Sequence, residues 1–334
     1  MRKIVFFCSV FLLLFITTAN ASNAVEIKNN DELLLDLGYD QSDINNFTKT
    51  NTIVLVTSHN NEITGKELKK YAQLGYSEKE IIDFGNNEIS YLNNLEGELI
   101  SVDKKYMEDD TNGMVEITKE EYDQNVQEYL AIMAICNLSS QTCSDTKPTT
   151  NWIVLTTSIS KISNTTPQEY IIKHDFTWTK KPFYTFKDAI GVGNHVSMSP
   201  VQNSEYLKYS ADRYYSNNPI NGLGPWNADG IADNWIYTAN TQSGGIGFEF
   251  QLYSDWQLST GKQYKYENHR GTMAYRVIRN NSSFTAANFS GHYIHTEQSF
   301  SGSLGVSFPA AGAFSISANI TKTPAIETGI TFNY

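Results

Sequence analysis

The sequence is poor in cysteine and in positive charge, and beyond its first residues it has no long apolar run. Its 334 residues include three cysteines, and 25 basic residues stand against 36 acidic ones. No later stretch approaches the roughly eighteen apolar residues of a membrane-spanning helix, so no transmembrane helix is expected in the mature chain. Because phosphate neutralisation needs clustered lysine and arginine, which the sequence lacks, nucleic-acid binding is not expected either.

The first 21 residues have the pattern of an export signal. Arg2 and Lys3 precede an apolar run from Ile4 to Ile16, and Ala19-Asn20-Ala21 is a small-residue cleavage site. This order of regions is typical of a secretory signal peptide. We therefore predict cleavage after Ala21 and a secreted, extracellular protein.

Two cysteines, Cys136 and Cys143, remain in the mature chain. An exported chain meets an oxidising environment, and their spacing does not match a metal site, so we predict a disulfide between them. Two free thiols in a reducing niche are the alternative.

Charge and tryptophan divide the chain near residue 150. Residues 22–150 contain 24 acidic and 10 basic residues, whereas residues 151–334 contain 12 and 13, and all five tryptophans follow residue 150. The sequence predicts a signal peptide (1–21), an acidic helical domain (22–144), a linker (145–150) and a β domain (151–334).

The acidic part carries helix-start signals. Thr64, Ser77 and Thr118 are each followed three residues later by glutamate, the spacing of a capping box. The segment Leu37-Gly38-Tyr39 recurs 37 residues later as Leu74-Gly75-Tyr76, and each copy is typical of a helix that ends at glycine. We expect helical hairpins whose negative face keeps the protein soluble; a partner-docking surface is the alternative.

The second part alternates apolar and polar residues, as strands with one buried face do. The pattern is clearest in the last residues, in three runs: Leu304, Val306, Phe308; Phe314, Ile316, Ala318, Ile320; and Ile330, Phe332, Tyr334. We expect loops and one helix near Ser204–Tyr215 in the stretch 179–245. The predicted fold class is α+β, a small acidic α-helical N-terminal domain followed by an all-β sandwich-like domain.

Common catalytic patterns are missing. The sequence has no Gly-x-Ser-x-Gly, His-Glu-x-x-His, phosphate loop or dinucleotide fingerprint. Its histidine pair, His292 and His295, lies on a predicted strand, where residues three apart point to opposite faces. His174 falls on an apolar strand face and is expected to be a hydrogen-bonded histidine of the core or of a sheet edge rather than a catalytic one. A site assembled from distant residues stays open.

A weak calcium pattern occurs in the middle of the β part. With Gly230 at the sharp turn of a calcium loop, Asn227, Asp229 and Asp233 occupy oxygen-ligand positions, but the two anchoring ligands are missing. A turn without metal is the alternative. No other cofactor is expected.

Aromatic residues are dense between Tyr206 and Trp256. Such rings fill β cores, and on exposed loops they contact sugars and proteins. Trp226 and Trp235 flank a turn-rich loop and are our candidates for an exposed ligand-binding site.

Five short motifs resemble secreted proteins of Gram-positive bacteria to which no activity is assigned. They are Leu74-Gly-Tyr-Ser-Glu-Lys-Glu-Ile, Thr118-Lys-Glu-Glu-Tyr, Thr157-Ser-Ile-Ser-Lys, Pro182-Phe-Tyr-Thr-Phe-Lys-Asp-Ala-Ile-Gly and Gly291-His-Tyr-Ile-His. The resemblance touches both predicted domains and implies export, but no functional residue.

The function predicted from these features is non-enzymatic binding outside the cell or in the cell envelope. The expected partner is a cell-wall or other glycan, or an extracellular protein. One alternative is a secreted hydrolase with a dispersed site. Another is a membrane-active protein, because the uncharged ribbon from Ser301 to Thr321 alternates like the wall of a membrane barrel.

Overall fold

A computed structural model describes residues 28–110, 113–138, 151–217, 226–258, 261–309 and 313–334, with the side chains of residues 110 and 132–138 left out. The predicted signal peptide, the linker 145–150 and Cys143 lie outside this part of the chain, as does the side chain of Cys136. The export and disulfide predictions therefore stay predictions.

The N-terminal part is helical at first and then forms strands. In chain order its elements are α1 (Asn30–Leu37), α2 (Gln41–Asn46), β1 (Ile53–Val56), β2 (Glu62–Thr64), α3 (Gly65–Gln73), α4 (Glu78–Ile82), α5 (Asn86–Leu92), β3 (Gly97–Asp110), β4 (Gly113–Ile117) and α6 (Lys119–Leu138). The predicted capping boxes begin α3, α4 and α6. Among the described helices, none is long and apolar enough to cross a bilayer.

The two copies of the internal repeat contact each other. Gly38 and Gly75 have φ values of 110° and 90°, which only glycine adopts without strain. The Tyr39 hydroxyl donates a hydrogen bond to the Tyr76 carbonyl at 2.8 Å. Each copy thus ends a helix and packs a tyrosine across the corner, as predicted.

The rest of the chain forms strands. They are β5 (Asn151–Ile162), β6 (Glu169–Trp178), β7 (Lys187–Asn194), β8 (Met198–Pro200), β9 (Tyr206–Ser216), β10 (Asn227–Ile236), β11 (Asn240–Gln242), β12 (Gly245–Gln251), β13 (Trp256–Gln257), β14 (Gln263–Arg279), β15 (Ala286–Ile294), β16 (Val306–Ser307), β17 (Ser315–Ile316) and β18 (Ile326–Asn333). A nine-stranded sheet has the order β10-β9-β14-β6-β5-β3-β4, with β8 and β13 also paired to β14, and a five-stranded sheet has the order β11-β12-β7-β15-β18. The mostly β, sandwich-like prediction is confirmed.

The acidic N-terminal part is not a separate helical domain, which corrects the prediction. Its strand β3 pairs with β5 over most of its length and with β4 on its other side. The helices also share a core with the large sheet, in which Leu34, Tyr71 and Ile81 pack with Leu99 and Ile171. The sequence did not show this because β3 is buried unevenly on both faces and has no clear period.

Hydrophobic residues form three buried clusters in the described chain. The first lies between the two sheets and includes Leu155, Phe176 and Phe248. The second lies between the helices and the large sheet, and the third covers the outer face of the small sheet. The chain is therefore layered as helices, large sheet, small sheet and C-terminal cover.

The polar face of β5 is buried rather than solvated. Leu155 and Ile159 point between the sheets, while Ser158 and Ser160 are no more than 1% exposed beneath the helices. A Cβ on Gly75 would lie 2.4 Å from the Ser158 hydroxyl, so small residues allow the helical layer to approach. Strand β5 therefore keeps its alternation of apolar and small polar residues although both of its faces are covered.

The helix expected near Ser204–Tyr215 is wrong: Tyr206–Ser216 is strand β9. Tyr206 packs with the helices, whereas Leu207 and Tyr209 pack between the sheets. Since both faces are buried, apolar residues do not alternate, and the spacing of Tyr206 and Tyr209 is compatible with a helix.

The last of the three C-terminal runs forms the predicted strand, whereas the first two form only a short hairpin. Residues of β18 alternate between buried and exposed along its whole length. The hairpin is reduced to β16 and β17, which pair through Val306 and Ile316. Val306, Phe308 and Ile316 are buried against the small sheet, so the apolar side of the ribbon proposed for membranes is covered in this structure.

Ion pairs join the helical layer to the large sheet. Lys173 of β6 contacts both carboxylate oxygens of Glu80 at 2.8 Å and also contacts Asp175. Two further ion pairs join an acid of the helical layer to a cation of the large sheet: Asp83 with Arg270, and Glu88 with Lys208. Part of the negative charge of the N-terminal region is thus neutralised by cations of the sheet.

Candidate binding surface

The two tryptophans singled out from the sequence lie at opposite ends of β10. Trp235, near the C-terminal end of β10, is partly buried, packs against the core under the helices and has its ring 5.2 Å from that of Tyr206. Trp226 precedes the strand, is partly exposed and belongs to neither core. Of the two, only Trp226 lies where a ligand could reach it without disturbing the core.

The residues of the calcium pattern lie on strand β10 rather than in a loop. Asn227 pairs with Tyr215 and Asp233 with Ser210 in the sheet. The Asp229 carboxylate is 2.7 Å from Arg213, and that of Asp233 is 3.0 Å from His59. The described residues contain no group of three or more acidic, histidine or cysteine side chains suited to a metal. Calcium binding at these positions stays a prediction.

A buried acid–histidine pair lies between the sheets. The ring nitrogen Nδ1 of His295 is 3.0 Å from both carboxylate oxygens of Asp188. Asp188 also accepts hydrogen bonds from the Tyr293 hydroxyl and the Thr296 amide, and Trp178 donates to the Tyr293 hydroxyl at 3.0 Å. Asp188 is 0% and His295 2% exposed, so this pair is enclosed and serves to join strands.

The other histidines of interest are also in the core. His174 is fully buried, as predicted, and its Nδ1 lies 2.9 Å from the Thr157 hydroxyl. His292 stacks on Phe314 with ring centroids 5.3 Å apart. His292 and His295 have different surroundings, with Phe314 beside one and Asp188 beside the other.

The buried histidines differ widely in pKa. Burial alone would lower the pKa of His295, but the facing Asp188 carboxylate outweighs it and raises the pKa above 6.5. Burial lowers the pKa of His174 to about 3 and that of His269 to about 4. We expect ring-proton NMR to show a midpoint above 6.5 for His295, carried by a signal that disappears in His295→Gln.

The sign of the stability effect follows from that shift. A histidine with a raised pKa contributes stability that is complete below its unfolded pKa of about 6.5 and is lost as the pH rises through the folded pKa. The wild-type chain should therefore lose more stability above neutrality than His295→Gln does. A His295 midpoint below 6.5 would contradict the charge assignment.

One end of the large sheet carries aromatic rings on both faces. We define the aromatic end by its residues: Tyr214 and Tyr215 of β9, Trp226 before β10, Trp256 of β13, Lys262 before β14, and Tyr264 and Lys265 of β14. Tyr214 pairs with Lys265, and Tyr215 pairs with Tyr264. Since neighbouring residues of a strand point to opposite faces, these two pairs lie on opposite faces of the sheet. None of the aromatic residues belongs to a core cluster.

Each lysine of the aromatic end lies over two rings. The Lys265 amine is 5.2 Å from the ring centres of both Tyr214 and Trp226. On the other face, the Lys262 amine is 4.1 Å from Tyr215 and 4.8 Å from Tyr264. These distances are typical of cation–π contacts, which hold both lysines against the sheet while their charge stays at the surface.

Trp256 is the most exposed ring of the aromatic end. It stacks on Tyr264, with centroids 4.6 Å apart and an angle of 12° between the planes, and it is 45% exposed. One face of its indole is therefore covered, and its N–H donates a hydrogen bond to the Tyr266 hydroxyl at 3.3 Å, while the exposed part of the ring can contact a ligand.

The segment 180–186 adjoins this surface. Lys181 forms an ion pair with Asp255, next to Trp256, and the Gln251 amide donates to the Thr185 carbonyl at 2.7 Å. Phe183 in this segment is 84% exposed. It adds a further exposed ring beside the aromatic end, with the Tyr184 ring edge-on to it at 4.9 Å between centroids.

Part of this surface could be predicted from the sequence. The density of aromatic residues between Tyr206 and Trp256 pointed to the region, and Trp226 was identified. The sequence did not predict the stacking of Trp256 on Tyr264 or the position of the two lysines over the rings. These contacts depend on the pairing of β13 and β9 with β14.

An open cavity of about 550 Å³ lies elsewhere, between the end of α5 and the β5–β6 turn. Its lining includes Asn93, Asn164, Thr165 and Arg276. Arg276 is already paired with Glu169 at 2.9 Å. The aromatic end is the stronger candidate because Trp256, at its surface, is 45% exposed.

Comparison with known proteins leaves the family open. No family model and no curated protein matches the chain. A solved structure described as "Pore forming protein" is 8% identical; the match covers 71% of this chain and 96% of that one, with a TM-score of 0.27. Another, described as "AvmM Catalyzes Macrocyclization in Alchivemycin A Biosynthesis", is 9% identical, with coverages of 49% and 80% and a TM-score of 0.19. At these TM-scores neither match carries an argument about fold or function.

Proposed function

We propose that this chain is a binding protein that acts outside the cell and attaches to a cell-envelope surface through the aromatic end. The predicted signal peptide would deliver it there. The observation that carries the proposal is the partly free indole of Trp256, held on Tyr264 at the end of a rigid sheet. Preorganised aromatic rings of this kind bind with little loss of conformational freedom.

Buried acid–base groups do not favour a hydrolase. The Asp188–His295 pair is closed off between the sheets, so a substrate would have to displace Tyr293 or Trp178 to reach it. The aromatic end, in contrast, is accessible without any rearrangement of the core. Binding is therefore the function that the geometry supports best.

Replacing Trp256 by Ala should abolish most of the binding. We expect the purified chain without its predicted signal peptide to sediment with bacterial cell walls or with lipid vesicles. Trp256→Ala should weaken this by roughly tenfold or more, because an aromatic anchor contributes about 2 kcal/mol or more. Its melting temperature should stay close to wild type, since the ring lies outside the cores.

Tyr237 provides a matched control. It is 60% exposed and stacks on Trp235 with centroids 5.8 Å apart, just beyond the C-terminal end of β10, whereas the aromatic end adjoins the start of that strand. Tyr237→Ala should sediment like wild type. Equal losses in both variants, or none in Trp256→Ala, would show that the aromatic end is not the site.

A further inference from the structure

We propose that the surface bound by the aromatic end is an anionic lipid bilayer, with the rings lying at the level of the headgroups. This rests on the proposed function and names its partner. It requires attachment to the membrane surface only, with no rearrangement of the strands.

The first observation is that the rings occupy both faces of one sheet. Tyr214 and Trp226 contact Lys265 on one face, and Tyr215 and Tyr264 contact Lys262 on the other. A sugar stacks against one face of a site. A bilayer interface instead surrounds whatever enters it, and tyrosine and tryptophan are enriched at that depth because their rings are apolar and their hydroxyl or N–H ends are polar.

The second observation is the position of the charges. The whole chain has a formal charge of −11. At the aromatic end and its adjoining segment, however, five cations (Lys180, Lys181, Arg213, Lys262 and Lys265) outnumber four carboxylates (Asp212, Asp229, Asp255 and Glu267), although Lys181, Arg213 and Lys265 each form an ion pair with one of these acids. An anionic surface therefore attracts this end and repels most of the remaining protein, which orients the molecule.

The lysines can keep their charge at this depth. Lys262 lies along two tyrosine rings, and a hydrogen bond with Tyr264 raises its pKa, so it stays charged at neutral pH. A long side chain that covers apolar rings while its amine reaches the headgroups is the usual arrangement of lysine at a membrane interface.

The third observation is the exposed aromatic residue beside the sheet. Phe183 is 84% exposed and follows Lys180 and Lys181, and Lys181 is tied to Asp255 next to Trp256. An apolar ring adjoining a net positive surface is costly in water and favourable at the boundary of the acyl chains.

The test is sedimentation with vesicles of phosphatidylglycerol and phosphatidylcholine, with vesicles of phosphatidylcholine alone, and with cell walls. We expect binding to the anionic vesicles that weakens as salt is added. Each cation near an anionic bilayer increases the affinity severalfold, and a glutamate in its place adds repulsion. Lys262→Glu should therefore weaken binding to the anionic vesicles by roughly tenfold or more. Lys105→Glu, on the distant strand β3, is the matched control and should bind like wild type.

Variants on the two faces separate a bilayer from a one-sided ligand. Tyr214→Ala and Trp256→Ala should both weaken vesicle binding. Loss in Trp256→Ala alone, or equal binding to neutral and anionic vesicles, would overturn the bilayer proposal. Binding to cell walls without binding to vesicles would overturn it too, while leaving the proposed function in place; binding to neither would remove both.

Discussion

Replacing Lys173 by Met should lower the free energy of unfolding by about 3–5 kcal/mol, because it leaves carboxylates buried without their main cation. Lys173 is 1% exposed and contacts Glu80 and Asp175, and both acids are largely enclosed. Methionine preserves most of the packing volume, so the lost stability reports the missing charge. Urea unfolding of the wild-type protein and of Lys173→Met measures the difference in the free energy of unfolding.

The pKa values of the cluster show why the cation matters. Although burial opposes its charge, Asp175 and Glu80 raise the pKa of Lys173 above its ordinary value. Burial raises the pKa of Asp175 to about 6 even with Lys173 beside it. Without the lysine, Asp175 should take up a proton at still higher pH, so the variant should regain part of its stability on acidification.

A surface ion pair serves as the control for Lys173. Lys105 contacts Glu116 at 2.8 Å, but the two side chains are 29% and 56% exposed. Lys105→Met should therefore cost no more than about 1 kcal/mol. If Lys173→Met is as mild as Lys105→Met, the helical layer is not held by this cluster.

The ion pairs between the helical layer and the large sheet explain part of the uneven distribution of charge along the sequence. The sequence showed an acidic N-terminal part and a neutral β part, and a solvated negative face was the expected explanation. In the structure Glu80, Asp83 and Glu88 pair with Lys173, Arg270 and Lys208 of the sheet. Capping boxes identified Glu80 as a helix-start residue, but local spacing could not reveal a partner 93 residues away.

Elements with one exposed face could be predicted, whereas two strands buried on both faces, β3 and β9, could not. The alternation of β18 was visible because every second residue is exposed. Strand β9 was mistaken for a helix and β3 had no recognisable period, since helices cover one side of their sheet and a second sheet covers the other. Because β3 was not recognisable as a strand, the sequence also did not show that the N-terminal helices pack on the large sheet.

The candidate site was predictable only in its composition. Aromatic density is a property of the sequence, and Trp226 was found from it. The pairing of Tyr215 with Tyr264 and of Trp256 with Tyr264 depends on the register of β14 with two different strands. A register of this kind is set by the whole sheet and is not encoded in any one segment.

Replacing Gly291 by Ala should be as damaging as the loss of Lys173, for a steric reason. Gly291 lies in β15, and a Cβ there would be 2.2 Å from the Thr157 hydroxyl, 2.5 Å from Nδ1 of His174 and 2.6 Å from the Thr328 hydroxyl. These groups are fully buried and bonded to one another between the sheets. The methyl group must break that network or separate the sheets, which should cost about 3 kcal/mol or more.

Gly329 on the neighbouring strand β18 is the matched control for this prediction. It pairs with Ser290, one residue from Gly291, but a Cβ at this position would meet nothing within 4 Å. Gly329→Ala should therefore be neutral or slightly stabilising, because alanine restricts the unfolded chain. Thermal and urea unfolding of the two variants compare a strand position that faces the sandwich with one that faces away. Similar stabilities for both would mean that the two sheets do not approach each other as closely at Thr157 and His174 as their hydrogen bonds require.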